Sequence, residues 1–158
     1  IVHTEQILDE MCAALGGRAA EKVVFNKIST GALSDLEKVT KQARAMVTIY
    51  GLNEKIGNLT YYDSAQSDYS FTKPYSEKTA HLIDEEISKI IEEQYQRAID
   101  ILTENKDKLT TLANLLLDRE VIFRDDLENI FGKRKFKDPH NSNEEETPLK
   151  TENTSPTE

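Results

Sequence analysis

Apolar residues recur every three or four positions over the first part of the chain, from about Thr4 to Phe25. This spacing is the amphipathic helical period. It predicts one helix with the apolar line Ile7, Leu8, Met11, Leu15, Ala19 and Val23. The pair Gly16-Gly17 falls inside this helix, and each glycine costs a helix about 1 kcal/mol relative to alanine. We therefore expect another backbone to pack closely against the two glycines.

A second helical period follows a short connection at residues 26–30 and ends before Gly51, a residue type that commonly terminates helices. Its apolar positions are Leu36, Val39, Ala43, Met46, Val47 and Tyr50. Two starts are consistent with the residues. Thr30 is suited to cap a helix that begins at Gly31, and Ser34 with Glu37 three residues later has the spacing of a capping box. Asp35 lies in the opening turns in either case.

Further helices are predicted beyond a long polar loop at residues 52–75, which has room for a short strand near Leu59. Ser76 is positioned to cap a helix of about seven turns, Asn105 begins a shorter helix, and a last helix from Arg124 stops at Gly132. The predicted fold is mainly α, a multi-helix bundle with long helices and one long loop. Residues 1–132 are expected to form one domain. Residues 133–158 are too polar to offset their ordering entropy, so we expect a disordered C-terminal tail.

Composition limits the function classes. The 158 residues carry 29 acidic against 20 basic side chains and a net charge of -9, which argues against a nucleic-acid-binding surface. Cys12 is the single cysteine, so no intramolecular disulfide forms and a reducing compartment fits best. No run approaches the roughly 20 apolar residues that span a bilayer. Because the chain starts at Ile1 without a methionine, we expect it to be a fragment of a longer protein.

Asp35 is the candidate metal ligand. A carboxylate at a helix start is held in a fixed direction, as a divalent cation requires, but one carboxylate cannot hold zinc alone. Local chemistry favours the alternative that it interacts with the backbone N–H groups of its own helix. His3, His81 and His140 form no His-x-x-x-His pair, and His81 with Asp84 is expected to be a solvated helical pair. Neither a nucleophile elbow nor a phosphate-binding loop is present.

Three motifs in a fixed order identify a family resemblance. They are Leu15-Gly16-Gly17-Arg18-Ala19-Ala20-Glu21, Ser29-Thr30-Gly31-Ala32-x-x-Asp35-Leu36, and Ala43-Arg44-x-Met46-Val47-Thr48-x-Tyr50-Gly51. The chain resembles the peptidase domain of FtsH, the membrane-bound ATP-dependent zinc metalloprotease, over about residues 4–132. It departs from the commonest family pattern at Leu33-Ser34, where Ser-Asn is frequent, and at Asn26-Lys27, where a glycine usually follows the phenylalanine.

The resemblance implies a zinc ion held by two histidines of a His-Glu-x-x-His helix and by a downstream aspartate, which matches Asp35. That helix, with its general-base glutamate, is expected upstream of Ile1. We therefore expect no catalytic residue in this chain and no activity from the chain alone. For the complete protein the resemblance implies ATP and magnesium in an ATPase domain, an N-terminal membrane anchor, a homo-hexamer and protein substrates. It also implies the bacterial inner membrane, with the peptidase domain on the cytoplasmic side.

A non-enzymatic helical module for assembly or partner binding is the alternative, because helical periodicity fits both functions. The sequence directly upstream of Ile1 distinguishes them. If it lacks a His-Glu-x-x-His segment, the protease interpretation fails.

Overall fold

The computed structural model describes residues 1–62 and 74–134, and this part of the chain is helical. Its elements are α1 (Thr4–Ala14), α2 (Gly16–Phe25), a short 3-10 helix (Thr30–Ala32), α3 (Leu33–Thr48), α4 (Glu77–Glu104), α5 (Lys106–Arg119) and α6 (Arg124–Phe131). The mainly α prediction is confirmed, and the described residues near Leu59 form no strand. Residues 63–73 of the predicted loop, and the predicted tail from residue 135 onward, lie outside the described residues. No helix in the described part is long and apolar enough to cross a membrane.

The first predicted helix is in fact two helices. Leu15 lies between them with φ -77° and ψ -6°, and its N–H donates to the carbonyl of Met11. The expectation that a backbone packs against Gly16 and Gly17 was wrong, because a methyl group built on either glycine would have no neighbour within 4 Å. The two glycines instead mark the restart of the chain as α2.

Residues Ile1–Thr110 form one compact unit. The long helix α4 packs against α1, α2 and α3. The largest side chains that are fully buried in this unit come from three of these helices and from the α1–α2 junction: Met11, Leu15, Val39, Val47 and Ile83. Because α3 shares this core, the position of its first turn is fixed relative to α1 and α4.

The predicted start of α4 at Ser76 and the predicted end of α6 at Gly132 are confirmed. Ser76 Oγ accepts a hydrogen bond from the Thr79 N–H at 3.3 Å and caps α4. Gly132, directly after α6, has a φ of 86°, which favours glycine. A second compact unit begins at Thr111 and contains α6. Within it, the Asp126 carboxylate accepts from the Phe123 N–H at 3.0 Å and pairs with Arg119 at 2.9 Å.

Candidate metal ligand at the start of α3

Asp35 is the third residue of α3, which begins at Leu33 directly after the 3-10 helix. Neither predicted start is correct. Ala32 precedes the helix and offers no side-chain acceptor, so neither Thr30 nor Ser34 caps α3. Ser29 caps the preceding 3-10 helix instead, because its Oγ accepts a hydrogen bond from the Gly31 N–H at 3.3 Å.

The segment before α3 is tied to α2 through Ser29. The Glu21 carboxylate accepts two hydrogen bonds from this residue, one from the hydroxyl at 2.7 Å and one from the backbone N–H at 2.8 Å. Arg18 Nη1 also donates to the Ser29 carbonyl at 3.4 Å. The hydroxyl, followed by the backbone N–H, holds the pKa of Glu21 below its ordinary value. The first two sequence motifs therefore meet in space, and the earlier one positions the turn that leads to Asp35.

Glu21 and Arg18 were missed as supporting residues by sequence reasoning. Both lie in the first of the three family motifs, but Glu21 is eight positions from Ser29, across the end of α2. The two residues lie on opposite sides of the end of α2, so no period of a single helix or strand relates them, and the sequence carried no signal for the contact.

The Asp35 side chain is partly buried. Among the described residues it accepts no hydrogen bond from a backbone N–H and forms no ion pair, so the capping interaction favoured by local chemistry is not observed. Its place in the first helical turn still suits a negative charge, because the N-terminal end of a helix carries partial positive charge. Asp35 is thus a partly buried carboxylate in the first turn of α3.

Within residues 1–62 and 74–134, no group of three or more His, Cys, Asp or Glu side chains is arranged to hold a metal ion. His81 is exposed on α4, and its Nε2 lies 3.2 Å from Oε1 of Glu85. The expected pair of His81 with Asp84 is not observed among the described residues, and the exposed partner of His81 is Glu85. His3 is exposed before α1, and His140 lies outside the described residues.

Cys12 is buried, and burial is the main reason that the pKa of its thiol is raised. A raised pKa keeps the thiol protonated at neutral pH, which is the unreactive form. This agrees with the sequence, which gave no support for nucleophilic catalysis by this residue.

Comparison with known proteins identifies the family. Residues 1–130 match the profile of Peptidase family M41. The chain belongs to family M41. It is 63% identical over 134 residues to the ATP-dependent zinc metalloprotease FtsH of Parabacteroides distasonis, a match that covers 85% of this chain and 20% of that protein. The matched M41 region thus spans about a fifth of the length of this relative.

Two further relatives are also named as proteases or protease components. The chain is 53% identical over 131 residues to the ATP-dependent zinc metalloprotease FtsH of Karelsulcia muelleri, covering 82% of this chain and 21% of the relative. It is 43% identical over 132 residues to a mitochondrial inner membrane m-AAA protease component of Mus musculus, covering 84% and 16%. The resemblance to FtsH found in the sequence is therefore confirmed.

Proposed function

We propose that this chain is part of an ATP-dependent zinc metalloendopeptidase and that Asp35 is one of its zinc ligands. The observation that carries the proposal is the carboxylate itself, which is partly buried at the start of α3 and has no partner among the described residues. It stands at the position that matches the aspartate ligand of the family. The Glu21–Ser29 hydrogen bonds support a ligand role for Asp35 because they hold in place the turn that precedes the first residue of α3.

Zinc, when bound, lowers the pKa of a water molecule and polarises the scissile carbonyl group. Asp35 contributes an oxygen ligand and a negative charge that partly neutralises the metal. We propose that the two histidine ligands and the general-base glutamate belong to a His-Glu-x-x-His helix N-terminal to Ile1 in the parent protein. The chain alone is then inactive.

The remaining features of the parent protein are proposed from its relatives. These features are an ATPase domain that uses ATP and magnesium, a membrane anchor, a homo-hexamer and protein substrates. High identity to bacterial proteins named ATP-dependent zinc metalloprotease supports the ATPase domain. It also favours a bacterial inner membrane location with the peptidase domain on the cytoplasmic side.

The test is Asp35→Asn in the full-length protein. Replacing even a residue that only supports a metal ligand typically lowers metal affinity 10–100-fold, so loss of a direct ligand should lower zinc affinity by at least about 10-fold. Proteolysis should fall in parallel, while ATP hydrolysis stays near the level of the unmodified protein. Zinc content by atomic absorption, casein degradation and phosphate release measure the three quantities.

Asp125→Asn is the matched control, because Asp125 is an exposed aspartate in the first turn of α6. It should leave all three quantities unchanged. The isolated 158-residue chain should hold no stoichiometric zinc, because one ligand leaves the site incomplete. Full proteolysis and normal zinc content in Asp35→Asn would refute the ligand assignment. A parent sequence without a His-Glu-x-x-His segment would leave the alternative, a helical assembly or partner-binding module.

A further inference from the structure

Asn26 directly follows α2 and has a left-handed backbone, with φ 51° and ψ 27°. Residues other than glycine seldom adopt this conformation, and asparagine is among the few that do so readily. The Asn26 N–H donates to the Lys22 carbonyl at 3.0 Å, so the last turn of α2 closes onto this residue. A left-handed residue at this place ends a helix and turns the chain away from the helix axis.

The side chain of Asn26 is also held by α2. Its Oδ1 accepts a hydrogen bond from Lys22 Nζ at 2.9 Å. Lys22 lies in the last turn of α2, where the partial negative charge of the helix end favours a cation. One lysine therefore binds Asn26 twice, through its backbone carbonyl and through its amine. These two contacts hold Asn26 in the conformation that ends α2.

The turn at Asn26 brings Ser29 back to α2. Glu21 and Ser29 are eight residues apart, so in one continuous helix their backbones would be separated by about 12 Å along the axis. In the structure the Ser29 N–H instead donates to the Glu21 carboxylate at 2.8 Å. The chain must therefore reverse between these two residues. Among residues 22–28, all of which the structure describes, only Asn26 has a positive φ.

Ser29 connects this reversal to the candidate zinc ligand. Its Oγ accepts a hydrogen bond from the Gly31 N–H at 3.3 Å and caps the 3-10 helix. That helix ends at Ala32, and α3 begins at the next residue. A displacement of Ser29 would therefore be passed on to the first turn of α3, which carries Asp35.

We propose that Asn26 is a positioning residue for Asp35. Its left-handed turn brings Ser29 to Glu21, and Ser29 then holds the start of α3 in place. The inference rests on the proposed function, which gives Asp35 its role as a zinc ligand. It adds a residue that acts on the site only through Ser29. Because the turn requires the left-handed backbone, glycine should replace Asn26 in this role and alanine should not.

A carbon NMR titration of the Glu21 carboxyl group in the 158-residue chain tests the placement of Ser29 without zinc. The Ser29 hydroxyl, followed by the backbone N–H, holds the pKa of Glu21 below its ordinary value of 4.5. Asn26→Ala strains the left-handed turn, so Ser29 should leave the carboxylate in part of the molecules and the pKa of Glu21 should rise toward 4.5. Asn26→Gly should keep the low pKa.

Zinc affinity in the full-length protein tests the effect on the site. Replacing a residue that supports a metal ligand typically lowers metal affinity 10–100-fold, so Asn26→Ala should lower zinc affinity by about 10-fold. Asn26→Gly should restore it. Gly51→Ala is the matched control, because it also places alanine at a positive φ, +62°, but at the other end of α3. It should change neither the pKa of Glu21 nor the zinc affinity.

Three results would overturn the proposal: an unchanged pKa of Glu21 in Asn26→Ala, the same rise in Asn26→Gly, or an equal loss of zinc affinity in Gly51→Ala. Asn26→Ser, a milder change at this exposed position, should raise the pKa of Glu21 in the same direction if Asn26→Ala does not fold. The zinc measurement on Asp35→Asn separates the two ideas. Normal zinc content in Asp35→Asn refutes the ligand role, whereas lost zinc there with unchanged zinc affinity in Asn26→Ala refutes the positioning role alone.

Discussion

In the turn that follows α3, Asn53→Ala should destabilise the chain more than Lys55→Met, a change at a side chain that is 55% exposed. Asn53 Nδ2 donates to Glu86 Oε2 at 2.8 Å, and Glu86 is only 5% exposed on α4. Asn53 Oδ1 accepts the backbone N–H groups of Lys55 and Ile56, both at 3.0 Å. One side chain thus forms the turn after α3 and anchors it to a buried carboxylate.

The size of the effect follows from these three contacts. A hydrogen bond to a charged group contributes about 1.5–3 kcal/mol and a neutral one about 0.5–1.5 kcal/mol. Because contacts made by one residue are not additive, we expect a total loss of about 3 kcal/mol in the free energy of unfolding. Lys55 also pairs with Glu86, but its side chain is 55% exposed. Lys55→Met removes the cation from a carboxylate whose side chain is only 6% exposed, so it should cost about 1–2 kcal/mol, less than Asn53→Ala because both hydrogen bonds of the turn remain.

Urea denaturation followed by far-UV circular dichroism at pH 7 measures both variants against the unmodified chain. We expect the midpoint to drop for both variants, further for Asn53→Ala than for Lys55→Met, with unchanged slopes. A loss below about 0.5 kcal/mol for Asn53→Ala, or a larger loss for Lys55→Met, would refute the assignment of the anchor to Asn53.

The same contacts predict a pH dependence. Lys55 first, and Asn53 second, hold the pKa of Glu86 below its ordinary value of 4.5. A carboxyl group with a lowered pKa in the folded state stabilises the fold above the unfolded pKa, and this stabilisation is lost as pH falls through the folded pKa. The unmodified chain should therefore lose stability more steeply below pH 4.5 than Glu86→Gln does. Parallel curves for the two proteins would contradict this mechanism.

Two further predictions concern the glycines and the turn before α3. Gly17→Ala should raise the free energy of unfolding by about 0.4–1 kcal/mol, since a Cβ there has no neighbour within 4 Å. Gly51→Ala should lower it by about 1–2 kcal/mol, since Gly51 has φ +62° and a Cβ would lie 3.4 Å from the Gly57 carbonyl oxygen; changes of the same sign in urea denaturation would contradict this contrast. Ser29→Ala should raise the pKa of Glu21 toward its ordinary value, because the hydroxyl is the main cause of the lowering. A carbon NMR titration of the Glu21 carboxyl group measures this, and an unchanged pKa would show that the hydroxyl is not that cause.

The sequence predicted the helices because their period, caps and stops are local properties. Ser76 and Gly132 act where such residues usually act. It did not predict the break at Leu15, because the break leaves the apolar period in phase. Met11, Leu15 and Ala19 are each at most 1% exposed, although they lie before, at and after the junction. A pattern of buried positions cannot distinguish one helix from two when both bury the same line.

The sequence placed Asp35 in the opening turns of a helix, but local chemistry favoured a capping role for its carboxylate. In the structure the capping hydrogen bond lies one turn earlier, where Ser29 Oγ accepts from the Gly31 N–H. Ser29 is held in turn by Glu21, a contact between separate elements that no single-element pattern encodes. Because Ser29 caps this turn, the Asp35 carboxylate does not do so, and it makes no hydrogen bond or ion pair with another described residue. The proposed zinc-ligand role of Asp35 therefore rests on membership of family M41 and on the position of this carboxylate in the first turn of α3.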